Sequence, residues 1–345
     1  MSDLEPELAT KAPESDLYDE PLDADKETLP TTATASVPVP SSTAQPTLSE
    51  HCTTDRPLPT TLPDAPSGQL TTYKDNIKTY ISKPSDYPTT PARLLLLLTN
   101  GTGVDSLNNQ HQADMFARKN YVVVMPDLFS GDPAPNTKPT EHTKADEASA
   151  SWLETVKLKA AETAKAFTLD MWLARHTPEK VLPIIHRVLE QAREEFADAV
   201  SHGGGVYGVG YCFGGKYVLT LASERGNKAM PGHQADERAA EEGMVRRGLE
   251  IKAGVCAHGT LVGREDMRGI TAPVSLICVE NDPLFPGEVL EDGEKWLKEN
   301  GVEHEIDVYG DVPHGFAVVG EYESNTIREA QTRAFEQTIK WLDAH

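Results

Sequence analysis

Val206-Tyr207-Gly208-Val209-Gly210-Tyr211-Cys212-Phe213-Gly214-Gly215 is an apolar run that ends in a cysteine set between glycines. The run reads as a buried strand, the glycines as a sharp turn, and the residues after them as the start of a helix. A nucleophile held at such a bend needs neighbours without side chains, because the backbone there is strained and crowded. With 25 glycines and 4 cysteines in 345 residues, a chance G-x-C-x-G is expected roughly 0.02 times, set against an ordinary glycine usage of about 7%. The motif therefore predicts a thiol nucleophile and asks for partners elsewhere in the chain.

Strands and helices alternate on both sides of it. Leu70 to Ile81 reads as one or two early strands. Arg93 to Leu98 reads as a buried strand leading into Thr99-Asn100-Gly101-Thr102-Gly103, and Tyr121 to Met125 as another, stopped by Pro126-Asp127. Helical spacing is expected over Leu107–Arg118, Asp146–Phe167 and Pro178–Val200. Past the cysteine, Glu224 to Glu250 is charged and reads as a surface insertion. Strands at Ile251–Ala257, Val274–Val279 and Glu305–Tyr309 follow, with helices over Glu288–Lys298 and Asn325–Leu342. Continuous apolar strands alternating with amphipathic helices predict an α/β fold, a mainly parallel sheet with helices on both faces. Residues 1–66, rich in Pro, Thr and Ser with few apolar side chains, read as a disordered tail, and 67–345 as the folded domain.

Composition narrows the function. A formal net charge of −22 argues against nucleic acid as a partner. No apolar stretch approaches the roughly 18 residues of a membrane span. The acidic start shows no secretory or transit signal. Cys52, Cys212, Cys256 and Cys278 are scattered, without C-x-x-C or metal-ligand spacing, which reads as free thiols in a cytoplasmic protein. No cofactor motif is evident, since Gly203-Gly204-Gly205 precedes a strand rather than following one. His51 and Cys52, at the end of the tail, carry no expected role.

In an open parallel sheet, reactive groups gather past the carboxyl ends of the strands. Cys212 follows one strand, Asp282 in Glu280-Asn281-Asp282-Pro283 follows the next-to-last, and His314 in Pro313-His314-Gly315-Phe316 follows the last. Nucleophile, acid, histidine is the chain order of α/β-hydrolases. Taken singly, Asp282-Pro283 is an ordinary turn and His314 an ordinary loop residue; together they form a catalytic set. Cys212 would attack a carbonyl as thiolate, His314 would move the proton, and Asp282 would orient the imidazole. The backbone N–H groups of Phe213 and Gly101 are the expected oxyanion donors. His258-Gly259 reads first as a plain turn, Asp127 as a loop anchor, and Trp152, Trp172 and Phe129 as pocket mouth or helix packing.

The segment from about Gly68 onward resembles the dienelactone hydrolase family, especially its eukaryotic branch. The likeness rests on Thr99 to Gly103, Met125 to Asp132, Gly208 to Gly215, Glu280 to Pro286 and Pro313 to Phe316. It implies an α/β-hydrolase fold and a Cys-Asp-His triad at Cys212, Asp282 and His314 that opens small esters or lactones through an acyl-cysteine. Bacterial members carry a glutamate where Asn100 stands here and an arginine where Val318 stands. That departure points to a less acidic, more apolar substrate. A thioesterase variant, a non-catalytic scaffold and a redox sensor at Cys212 are the alternatives. The sequence leaves the oligomeric state unknown.

Overall fold

The computed structural model describes residues 50–135, 167–224 and 250–345. Residues 1–49 of the expected tail, residues 146–166 of one expected helix together with Trp152, and residues 225–249 of the expected insertion lie outside the described residues.

Eight strands form one sheet in the order β1-β2-β4-β3-β5-β6-β7-β8. They are β1 Gln69–Tyr73, β2 Ile77–Ser82, β3 Arg93–Leu98, β4 Tyr121–Pro126, β5 Val206–Tyr211, β6 Ala253–Ala257, β7 Val274–Val279 and β8 His304–Tyr309. The first two run antiparallel to their neighbours, and β3 to β8 are all parallel. The central strands are apolar throughout because both of their faces are buried. Leu94, Leu96 and Leu98 of β3 join one core cluster, while Leu95 and Leu97 join the other. Each such leucine contributes about 1.5–3 kcal/mol relative to exposure.

One face is covered by helices Pro178–Glu195, Ala197–Gly203, Phe213–Leu221 and Gly287–Glu299, the other by Leu107–Ala117 and Asn325–Ala344. The helix expected over 178–200 is two helices, broken at Phe196 (φ −117°, ψ 41°). The Phe196 ring is buried and packs edge-on against Tyr87, so side-chain burial overrides helical continuity there.

Residues 52–57, grouped by composition with the tail, are instead fastened to the body. A short helix, Glu50–Thr53, opens the segment. Asp55 accepts from Ser106 Oγ at 2.6 Å, the Arg56 carbonyl from Asn108 Nδ2 at 3.0 Å, and the Pro57 carbonyl from Glu321 N at 2.7 Å. The Arg56 guanidinium stacks 3.8 Å above the Tyr322 ring. The segment lacks hydrophobic periodicity because it is fastened by polar bonds to a helix start and a loop rather than by an apolar face.

Candidate active site

Strand β5 delivers Cys212 into a turn with φ 52° and ψ −114°. That left-handed conformation is uncommon outside glycine. It is held by Cys212 N donating to the Ala257 carbonyl (3.0 Å) and by Thr260 N donating to the Cys212 carbonyl (3.0 Å). The flanking glycines are required by close approach. A Cβ on Gly210 would run into the Gly214 carbonyl, and one on Gly214 into the Leu98 carbonyl. Phe213 is the first residue of the following helix, where the N–H has no intrahelical partner. Cys212 thus stands at the positive end of that helix.

The loop after β7 supplies Asp282. Its Oδ1 accepts from Leu284 N at 3.0 Å, the local bond of an Asx turn. Its Oδ2 lies 2.6 Å from His314 Nδ1. The same carboxylate therefore shapes its own loop and grips the histidine from the loop after β8. A carboxylate can only accept, so Nδ1 carries the proton. Both groups are buried.

Between histidine and thiol stands Thr260, a residue that sequence reasoning missed. Its hydroxyl donates to Cys212 Sγ at 2.9 Å and sits 3.1 Å from His314 Nε2. Its position just past β6, in the loop that begins at His258-Gly259, was the available signal. His258, read first as a plain turn, is fully buried with its ring 5.1 Å from that of His314, so this loop does border the site.

The second missed residue is Cys52. Its Sγ lies 2.7 Å from Cys212 Sγ, and both side chains are fully buried. The Cys52 carbonyl also lies against Gly101, 2.7 Å from where a Cβ would stand. Two of the scattered cysteines are thus neighbours in space. Cys256 and Cys278 are buried in strands β6 and β7, where desolvation pushes both thiols up, Cys278 to about 12, in keeping with inert core residues.

Electrostatics favour charge separation at the centre. Burial alone would raise the Cys212 thiol, but hydrogen bonds from Cys52, His314 and Thr260, with the imidazolium charge, bring it well below its ordinary value. Burial opposes the charged form of His314, yet its bonds to Asp282 and Cys212 raise it above the ordinary imidazole range.

The other residues singled out from sequence sort as follows. Asp127 anchors its loop through Phe129 N (3.0 Å) and Gly131 N (2.7 Å). Phe129, Trp172 and Phe213 form a buried aromatic cluster beside the elbow, with ring centroids 4.9–5.4 Å apart. Asn100 Oδ1 accepts from Thr102 Oγ1 and Asn109 Nδ2, which ties it into its own loop. Val318 is buried in the cluster shared with the last helix. Among the described residues, Cys52, Cys212 and His314 are the group whose ligand atoms, all within 4.8 Å of one another, could hold a metal ion. Two thiolates on a tetrahedral zinc stand about 3.7 Å apart, wider than this sulfur pair.

The sequence profile of the dienelactone hydrolase family matches residues 77–235 and 243–345. The chain belongs to the dienelactone hydrolase family. Family membership makes it a carboxylic-ester or lactone hydrolase. Among its relatives, it is 30% identical over 281 residues to the hydrolase tropI of Talaromyces stipitatus, covering 81% of this chain and 91% of that one. The hydrolase pyvD of Aspergillus violaceofuscus is 29% identical over 278 residues, with 81% and 90% covered. The fold matches a crystal structure described as a putative dienelactone hydrolase from Klebsiella pneumoniae, with TM-score 0.56 and 17% identity, covering 82% of this chain and all of that one. As in an α/β-hydrolase, the mostly parallel sheet is covered on both faces. No helix of the described residues is long and apolar enough to cross a membrane.

Proposed function

We propose that this dienelactone hydrolase-family enzyme cleaves small esters or lactones through an acyl-cysteine intermediate, with Cys212, His314 and Asp282 as its triad. The observation that carries the reading is the continuous chain Asp282 Oδ2–His314–Thr260 Oγ1–Cys212 Sγ, with links of 2.6, 3.1 and 2.9 Å, ending at the strained elbow.

In this chain the imidazolium donates from Nδ1 to Asp282 and from Nε2 to the Thr260 oxygen, while the Thr260 hydroxyl donates a hydrogen bond to the thiolate. The thiolate attacks the substrate carbonyl. Charge that develops on the carbonyl oxygen is met by the N–H groups of Phe213 and Gly101. His314 then protonates the leaving alkoxide; in a lactone this oxygen stays tethered to the acyl group. As neutral imidazole, His314 next accepts a proton from water, which attacks the thioester and frees Cys212. The curated mouse relative called a carboxymethylenebutenolidase homolog, 24% identical over 247 residues, supports lactones as a substrate class, because a butenolide is one. The four cysteines, none in a disulfide, fit a cytoplasmic enzyme.

Intact-mass measurement after brief exposure to a panel of activated esters, thioesters and lactones tests the chemistry. The expected result is one acyl increment on Cys212, lost on standing as product appears. Turnover with the acyl group mapped to any other residue would refute it.

Substrate charge is a separate expectation. Neutral Asn100 and buried Val318 replace the glutamate and arginine of bacterial members, so nothing at those two positions would grip a substrate carboxylate. A methyl ester is expected to show the higher kcat/KM than its free-acid counterpart. A clear preference for the acid would overturn this.

A further inference from the structure

Cys52 and Cys212 are separated by 160 positions in sequence and by 2.7 Å between sulfurs. A disulfide needs about 2.05 Å, so a small side-chain rotation closes the gap. Cys52 does not arrive by chance of a loose terminus. The three hydrogen bonds of residues 55–57 and the Arg56–Tyr322 stack hold its segment against two parts of the body, the start of helix Leu107–Ala117 and the loop at Glu321–Tyr322. In this state the nucleophile is fully buried, with the Cys52 sulfur lying against it.

From this juxtaposition we infer that Cys52 is a resolving cysteine, forming a reversible disulfide with Cys212 that switches the hydrolase off and pins the N-terminal segment across its nucleophile. The inference rests on the reactive Cys212 assigned above. The oxidant is a hydroperoxide. The Cys212 thiolate attacks its O–O bond, giving Cys212 sulfenic acid and an alkoxide or hydroxide that takes a proton from solvent. The Cys52 sulfur then attacks the sulfenic sulfur, forming the S–S bond. The departing hydroxide leaves as water with the Cys52 proton, for which His314 is the nearby carrier. Two sulfurs together lose two electrons and the peroxide gains them. A dithiol reverses the change by exchange. A thiolate with a thiol already in contact is diverted to disulfide before further peroxide drives it to the irreversible sulfinic acid.

The test treats the full chain with a small excess of hydrogen peroxide in the presence of a chelator, then maps peptides without reduction. The expected result is a linked peptide pair containing Cys52 and Cys212, loss of p-nitrophenyl acetate turnover, and near-complete recovery with dithiothreitol. Cys52→Ser is expected to lose that recovery, with Cys212 advancing to sulfinic acid. Wild-type Cys212 going to sulfinic acid without the linked pair, or pairing with Cys256 or Cys278, would overturn the inference, and this arm needs no variant to fold. The linked pair is read by mass, independently of hydrolysis. A fully reduced preparation that turns over no ester, yet forms the pair on oxidation, would sink the catalytic proposal and leave the disulfide itself standing.

Discussion

Cys212→Ala is expected to lower kcat for p-nitrophenyl acetate by about 10,000-fold or more, the scale on which removing a nucleophile from a cooperating triad acts. Alanine retains the Cβ and loses only the sulfur, so the turn at φ 52° and its bonds to Ala257 and Thr260 have no reason to change. The loss should therefore come without a change in near-UV circular dichroism or in the thermal midpoint beyond a few degrees. Residual hydrolysis at the level of free imidazole is compatible with the reading. Activity within tenfold of wild type is not, and would move the chemistry away from the elbow.

The second large effect is on the acid limb of the pH profile. Hydrogen bonds and the imidazolium hold the Cys212 thiol at about 5, and His314 is raised to about 9. Between these values the pair rests as thiolate and imidazolium, and falling pH quenches it by protonating sulfur. Iodoacetamide should accordingly alkylate Cys212 at nearly full rate by pH 6 and slow as the pH drops through 5. His314→Ala removes the charge while burial continues to push the thiol upward, so its profile should move to higher pH. At pH 6 the expected loss of rate is about 300-fold or more, from the thiolate fraction of an ordinary or elevated thiol. Asp282→Asn provides the companion measurement. Asparagine keeps an oxygen for Leu284 N but presents the wrong partner to Nδ1, so kcat should fall by about 1,000- to 10,000-fold in a folded protein. An unshifted alkylation profile in His314→Ala would exclude a pre-formed ion pair.

The distribution of these groups explains what a linear reading can reach. The elbow is legible because its constraint is local. Gly210 and Gly214 are demanded by backbone atoms within a few residues or on the adjoining strand, and such steric demands leave glycine in the sequence. The strands are legible because burial on two faces removes polar residues from every position, as in Leu94 to Leu98. Asp282 and His314 are legible because each follows a strand, and strand ends converge wherever the sheet is parallel.

Cys52 and Thr260 obey no such rule. Thr260 is one hydroxyl in a loop, and its importance comes from bonds reaching 48 positions back to Cys212 and 54 forward to His314. Cys52 stands in a polar stretch whose composition matches the tail before it, since polar bonds to a distant helix start and loop impose no periodicity. Composition thus sets the expected boundary at residue 66, while packing begins well before it. Asn100 likewise sits beside the elbow strand, but only its partners Thr102 and Asn109 show that its side chain serves the loop.

What the sequence determined by itself is the sheet, the bend and the chain order of the three residues proposed as the triad, because backbone sterics and two-sided burial act over short distances. What only the tertiary structure decided is the company those residues keep: a threonine hydroxyl between imidazole and sulfur, and a second sulfur from the N-terminal segment. Those contacts depend on where separate loops meet in space, and that meeting follows from the packing of the whole sheet rather than from any stretch of chain.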